Sequence, residues 1–225
     1  MSASNDVVQR QRLDDGLQAL KLDLSTTQKE QLLVYLALIQ KWTQVYNLTA
    51  VRDPVEMLTH HLLDSLAVVN PLLLQLRGPQ MRRTGLRLLD VGSGAGLPGI
   101  VIAICCPDIT VHCVDTVAKK AAFIQQVAVS LKLPNLRGIH ARVEALTDTY
   151  DVISSRAFAS LENFTLWSQQ VLSDRGVWMA MKGKHPAEEM AALPSSVQVF
   201  HVEQLEVPGL GAERCIVWMR SALVV

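Results

Sequence analysis

The chain is short of cysteine, aromatics and net charge, and each shortage narrows what it can be. Four of its 225 residues are cysteine. Cys105 and Cys106 are neighbours that point apart on a helix, and no C-x-x-C or histidine-rich cluster occurs. A zinc site therefore lacks ligands at a usable spacing, and the thiols read as buried and reduced. Aromatics make up 5% of the chain, and Trp42, Trp167, Trp178 and Trp218 lie in apolar surroundings, which reads as core and not as a base-stacking platform. The 21 basic residues balance the 21 acidic ones, so net charge neither points to nucleic acid nor excludes it; local patches decide. No apolar run reads as long enough to cross a bilayer, the stretch from Gly99 to Cys106 being far too short, and Met1 to Arg12 lack an apolar signal core. The expectation is a cytoplasmic monomer without a membrane partner. A hydrophobic fraction of 49% and a mean hydropathy of +0.22 exclude extensive disorder, and the length suits one domain with an added segment.

What the chain does have is a glycine loop. The apolar run Leu88-Leu89-Asp90-Val91 breaks into Gly92-Ser93-Gly94-Ala95-Gly96-Leu97-Pro98-Gly99, and Ile100-Val101-Ile102-Ala103-Ile104 follows. This reads as a strand, a tight turn, and a helix with Pro98 near its first turn. Glycines there let backbone approach a nucleotide-like ligand closely. The dinucleotide fingerprint G-x-G-x-x-G wants a glycine where Leu97 stands, which disfavours a nicotinamide oxidoreductase. The G-x-G-x-G spacing after an acid instead resembles motif I of the S-adenosylmethionine-dependent, Rossmann-like methyltransferases. Val111-His112-Cys113-Val114-Asp115 reads as the next strand, and an acid at its end is where a ribose diol is held.

Residues 1–85 read as an N-terminal helical segment and residues 86–225 as the donor-binding domain. Ser25 with Gln28 forms a capping box, and Asp53, Pro54 and Glu56 signal a second helix start. That helix carries Met57, Leu58, Leu62, Leu63, Leu66 and Val69 near a 3.6 period. Residues 77–85, with Arg82 and Arg83, read as a linker. Strands are expected near 86–91, 109–114, 136–140, 150–155, 176–181, 197–206 and 213–220, and helices near 97–106, 117–132, 160–172 and 186–193. This alternation predicts an α/β, Rossmann-like fold: a mainly parallel seven-stranded sheet closed by an antiparallel C-terminal hairpin around Pro208, Gly209 and Gly211.

Five motifs in order carry a narrower likeness: Asn47-Leu48-Thr49, His61-Leu62-Leu63-Asp64-Ser65, the glycine loop, Ser155-Arg156-Ala157 and Met181-Lys182-Gly183. From about Ser25 to Met219 the chain resembles the ribosomal RNA small subunit methyltransferase G family. The resemblance implies transfer of a methyl group from S-adenosylmethionine to N7 of one guanine, guanine-527, in bacterial 16S rRNA. It implies 16S rRNA, the 30S subunit or an assembly intermediate as partner, and no metal. Carried over residue by residue, it places Gly92, Leu97, Val143, Glu144 and Arg156 at the donor; Asp90, Gly94, Gly96 and Asp115 join them from the loop reading. Thr116 stands where a small polar residue, often serine, is expected after the acid.

Guanine N7 has a lone pair and no proton to remove, so the lack of a general-base constellation is in keeping with this chemistry. Arg is a natural partner of guanine O6 and N7, yet an Arg on N7 occupies the reacting lone pair. Arg156 is thus left to the donor carboxylate, O6 or a phosphate. Arg156 and Lys182 are the candidate catalytic residues; Asn47, His61, Lys119, Lys120, Arg142 and Lys184 are candidates for the RNA. Each has a plainer reading: His61 packs or caps a helix, Asn47 satisfies loop backbone, and the cations form a solvated face. A methyltransferase with another substrate, or an RNA-binding assembly protein without catalysis, are the rival functions.

Overall fold

The computed structural model describes residues 3–46, 48–78 and 84–222. Helix α1 (Ala3–Ala19) turns Leu13 and Leu17 inward. Helix α2 (Thr26–Tyr46) starts at the capping box: Ser25 N–H donates to Gln28 Oε1 at 2.9 Å and Gln28 N–H donates to Ser25 Oγ at 3.3 Å. Asp53 Oδ1 then accepts from the backbone N–H groups of Val55 and Glu56, opening α3 (Pro54–Met57).

The next turn departs from the 3.6 period. Leu58–Leu63 is a π-helical turn, followed by α4 (Asp64–Leu66) and α5 (Val69–Leu76). The wider turn lets Leu58, Thr59, His61, Leu62 and Leu63 all face the interior. Such turns are frequent at functional sites. The stretch Val55–Leu76 also corrects the reading of apolar runs: it is 22 residues long at a mean hydropathy of 1.2, enough by length and composition to cross a membrane. Glu56, His60, His61 and Asp64 hide it in the sequence. In the fold 72% of it is buried inside the protein, as in a core helix.

The sheet runs β3-β2-β1-β4-β5-β7-β6, with β1 (Arg87–Val91), β2 (Thr110–Asp115), β3 (Leu136–His140), β4 (Tyr150–Arg156), β5 (Leu172–Lys182), β6 (Val197–Leu205) and β7 (Arg214–Ser221). The pairs from β3 to β5 are parallel, and β7 runs antiparallel to both β5 and β6. Helices α6 (Gly99–Cys105), α7 (Ala118–Ser130), α8 (Leu161–Ser168) and α9 (Ala187–Ala191) connect the strands. The α/β Rossmann-like expectation holds, with one boundary moved: β5 begins at Leu172, not near 176. Leu172 pairs with Tyr150, the register then slips, and pairing resumes at Val152 with Val177. The polar stretch Ser173-Asp174-Arg175 sits in that irregularity, so it resembles a turn in sequence.

One apolar cluster joins Leu13, Leu36 and Leu62 of the N-terminal helices to Leu88, Ile100 and Phe123 of the sheet layer. A second, with Leu89, Ile153, Phe164 and Trp178, fills the other face. The chain leaves β1 toward β2 and β3 and comes back on the other side at β4. That reversal opens a crevice at the carboxyl ends of β1 and β4, where open α/β sheets place ligands.

Candidate functional site

The glycine loop crosses this crevice. Gly92 and Ser93 N–H groups donate to Val114 O at 2.9 and 3.3 Å, tying the loop to β2. A Cβ at Gly92 would stand 2.1 Å from the Phe158 ring, and one at Gly96 would stand 2.3 Å from Ile100 Cδ1. These two glycines serve packing. Gly94, at φ +59°, differs: its Cβ would meet only Gly92 O, at 4.0 Å, so the second glycine leaves space.

The two acids part company. Asp115 ends β2 and lines a cavity of about 340 Å³. Its Oδ2 accepts from Gly94 N–H at 3.0 Å and its Oδ1 from Val117 N–H at 2.9 Å, with Lys120 Nζ 3.6 Å away. Asp90 is fully buried and lines neither this cavity nor its neighbour. It accepts from Gly99 N–H at 3.0 Å and from Ser154 Oγ at 2.9 Å, pinning the loop's far end to β4. Burial pushes its carboxyl up to about 7.

The smaller cavity is also walled by Val143, Glu144, Phe158 and Trp167. Val143–Ala145 form a 3₁₀ turn, and Phe158 and Trp167 meet edge to face at 5.9 Å. Trp167 is thus a wall of the site, where the sequence pointed to core. A larger cavity of about 560 Å³ adjoins it, lined by Gly94, Leu97, Thr49 and His61 among others; Gly92, Lys120 and Ala157 border both. Gly96, like Asp90, lines neither.

Charge gathers at the larger cavity. Arg156 ends β4, and its Nη1 donates to Asp64 Oδ2 at 2.7 Å and to His60 O at 3.0 Å. Arg214 begins β7, and its Nε donates to Asp64 Oδ1 at 2.8 Å. Lys182 Nζ is occupied by Glu189 Oε2 at 2.7 Å and Ala159 O at 3.1 Å. His61 is buried, with Nε2 2.9 Å from Thr49 Oγ1. Burial, seconded by the Arg156 charge, lowers it to about 4, so it is neutral near pH 7. Lys119 stands outside both cavities with its Nζ 5.1 Å from the centre of the Tyr46 ring. Arg142 pairs with Glu144 at 3.2 Å at the edge of the smaller cavity, and Lys184 is exposed. Asn47 lies outside the described residues, as do Arg82 and Arg83.

Sequence reasoning did not name Asp64, Arg214, Phe158 or Trp167 as site residues. Asp64 sat inside a quoted motif and could have been picked as an acid within an apolar helix. Arg214 has no local signal.

The sequence profile of the rRNA small subunit methyltransferase G family matches residues 28–217. The chain belongs to this family. It is 69% identical over 210 residues to the ribosomal RNA small subunit methyltransferase G of a Polaromonas species, covering 93% of this chain and 92% of the relative. It is 67% identical over 219 residues to the protein of that name from Albidiferax ferrireducens, covering 95% and 98%. Solved structures agree on the fold alone. TrmN from Thermus thermophilus aligns at a TM-score of 0.54 and 18% identity over 73% of this chain and 53% of its own. A SAM-dependent methyltransferase from Aquifex aeolicus aligns at 0.52 and 15% over 76% and 99%. In this methyltransferase G family member the profile leaves out α1, which nevertheless packs its Gly16 against Leu63 of the π turn.

Proposed function

We propose that the chain transfers a methyl group from S-adenosylmethionine to N7 of guanine-527 in 16S rRNA, acting as a cytoplasmic monomer on the small ribosomal subunit or a precursor of it. The observation that carries this reading is the pair of cavities meeting at Gly92 and Ala157, one ending in a β2 carboxylate and the other lined by cations. The smaller cavity fits a nucleoside. Asp115 offers a carboxylate for a ribose diol, the Gly94 backbone leaves room, and Phe158 and Trp167 give flat apolar walls. Val143 and Glu144 bring backbone polar groups to the rim where an adenine edge is read. Leu97 closes the inner wall of the larger cavity.

Bound there, the donor supplies an electrophilic methyl group on a sulfonium. The chain's residues align the two partners and exclude water. Guanine N7 brings its own lone pair, so no side chain has to take a proton. As N7 becomes positive, a nearby cation opposes the change. Arg156 is held away from such a role by Asp64, and His61 near pH 7 is neutral. N7 lies in the stack of a paired helix, so the target base has to be presented out of it.

The test is mass mapping of 16S rRNA from cells with and without the protein, joined to methyl transfer in vitro from labelled donor to unmodified 30S subunits. Methyl on N7 of a single guanine, absent without the protein, is the expected result. Label appearing on a protein or metabolite, or donor binding with no transfer, would favour the rival readings.

A further inference from the structure

One buried carboxylate gathers two arginines from distant strands. Asp64 is 2% exposed and carries no partner but these: Arg156 on its Oδ2 and Arg214 on its Oδ1, among the described residues. Arg156 and Arg214 leave β4 and β7, which have β5 between them in the sheet. Two strand spacings put their backbones about 10 Å apart. The β5 cation between them, Lys182, is bound to Glu189 and stands aside. The π turn ends at Leu63, so its geometry sets where Asp64 projects, and the turn's His60 carbonyl takes a second bond from Arg156.

The charges do not cancel. One carboxylate faces two guanidinium groups, leaving an excess of one positive charge on a surface that lines the larger cavity. Nor are the donors used up. A guanidinium has five N–H bonds. Arg156 uses Nη1, and Arg214 uses Nε and Nη1, the latter on Glu213 O at 2.8 Å. Among the described residues the Nη2 groups of both arginines make no hydrogen bond. A buried ion pair is weak evidence for stability, and removal of one partner leaves the other uncompensated. The arrangement is better explained by what it holds in place: two planar forks, fixed edge to edge, suited to an anion with two oxygens.

We propose that Asp64 is a positioning residue that sets Arg156 and Arg214 as one binding fork for a two-oxygen anion at the floor of the larger cavity. The anion is a carboxylate or a phosphate diester; the first belongs to the amino-acid end of the methyl donor, the second to the RNA strand. The proposal rests on the methyl-transfer reading above and adds to it a residue that touches neither partner.

Asp64→Asn tests it, since it keeps the shape and one acceptor while removing the charge. Melting temperature, donor affinity by calorimetry, RNA affinity across a salt series, and methyl-transfer kcat and KM are measured on the full chain. The expected result is a folded protein whose turnover falls at least tenfold. If the anion is the donor carboxylate, donor Kd rises at least tenfold. If it is an RNA phosphate, donor Kd holds while KM for RNA rises, and the freed positive charge steepens the salt dependence of residual RNA binding by about 0.7 to 0.9. Both patterns support the fork, and a purely structural role produces neither. Wild-type kcat, KM and donor Kd in folded Asp64→Asn overturn it. Should that variant fail to fold, Arg214→Lys asks the same question, because an ammonium keeps the charge but not the fork. A drop in turnover at an unchanged melting temperature supports the proposal, and wild-type kinetics overturn it. Absence of RNA methylation by the wild-type protein is a separate outcome, which removes the functional reading itself.

Discussion

Asp115 and Gly94 are coupled through one hydrogen bond, and that bond sets what replacing either will do. Gly94→Val puts a β-branched residue at φ +59°, a conformation such residues rarely adopt, and its side chain projects into open space beside both cavities. Donor affinity measured calorimetrically on folded protein should fall below detection; undiminished affinity removes the loop from the donor site. Asp115→Ala should weaken donor binding by about 1–3 kcal/mol, the worth of a charge-assisted hydrogen bond to a ribose hydroxyl. It also strips acceptors from Gly94 and Val117, so some loss of melting temperature is expected with it. Both positions were legible in the sequence because the signal is local: an apolar strand, then the glycine or the acid. Asp64 and Arg214 are 150 residues apart, and only the folded sheet brings them together. Asp90 was legible as an acid of the loop but not as one aimed backward, since direction depends on where Gly99 and Ser154 end up. Its pH behaviour opposes that of His61. Asp90 is raised from 3.8 to about 7, so its contribution to stability is present below pH 3.8 and is lost as pH rises through about 7. His61 is lowered from 6.5 to about 4, so its contribution is present above pH 6.5 and is lost as pH falls through about 4. Between pH 4 and 6.5 the two slopes, each about 1.4 kcal/mol per pH unit, offset one another. Asp90→Asn should therefore uncover a stability that climbs with pH over that window, and His61→Gln one that declines. Denaturant titrations at half-unit intervals check this, and parallel curves for both variants and wild type contradict it.

At the scale of elements, Gln28 joins two helix ends. Its backbone and Oε1 complete the box at the start of α2, while its Nε2 reaches Ile104 O at 2.8 Å and Cys105 O at 3.3 Å, carbonyls at the end of α6. Those carbonyls have no partner later in their own helix. Gln28→Ala should thus cost more than a lost cap alone, about 1–3 kcal/mol, read as a lower denaturant midpoint at unchanged slope. The capping half of this role could be read from Ser25 and Gln28. The α6 half could not, because it needs the packing of α2 on α6. The π turn shows the same limit. Met57, Leu58, Leu62 and Leu63 announce a buried helix correctly, but the period cannot reveal one extra residue per turn when Thr59 and His61 also point inward. β5 was placed from its apolar run, so its polar first residues were lost along with the slip that accommodates them.

For the whole molecule, zero net charge leaves RNA binding to the distribution of charge, and the fold revises which cations are available. Lys182 is held by Glu189, Lys120 stands 3.6 Å from Asp115, and Arg156 and Arg214 share Asp64. Neutralising Lys120 removes the cation beside the donor carboxylate Asp115, and neutralising Lys182 leaves Glu189 beside the cavity. Neither reports cleanly on RNA. Lys119 and Lys184 are exposed and lie beyond both cavities, Lys119 at the start of α7 and Lys184 just past β5. Both elements meet the crevice at the carboxyl ends of the strands, so the two lysines flank it from opposite sides of β1. Each phosphate contact releases counterions, which gives a slope of log affinity against log salt of about 0.7 to 0.9 per contact. Wild-type protein should bind 16S RNA with a salt slope of several units. Lys119→Gln with Lys184→Gln should lower that slope by about 1.4 to 1.8 and raise KM for RNA, with kcat and donor Kd near their wild-type values. Filter binding across a salt series, paired with calorimetry of the donor, measures both. An unchanged slope in the double variant places the RNA elsewhere on the surface, and a lost donor affinity shows that the two lysines serve the pocket instead of the strand.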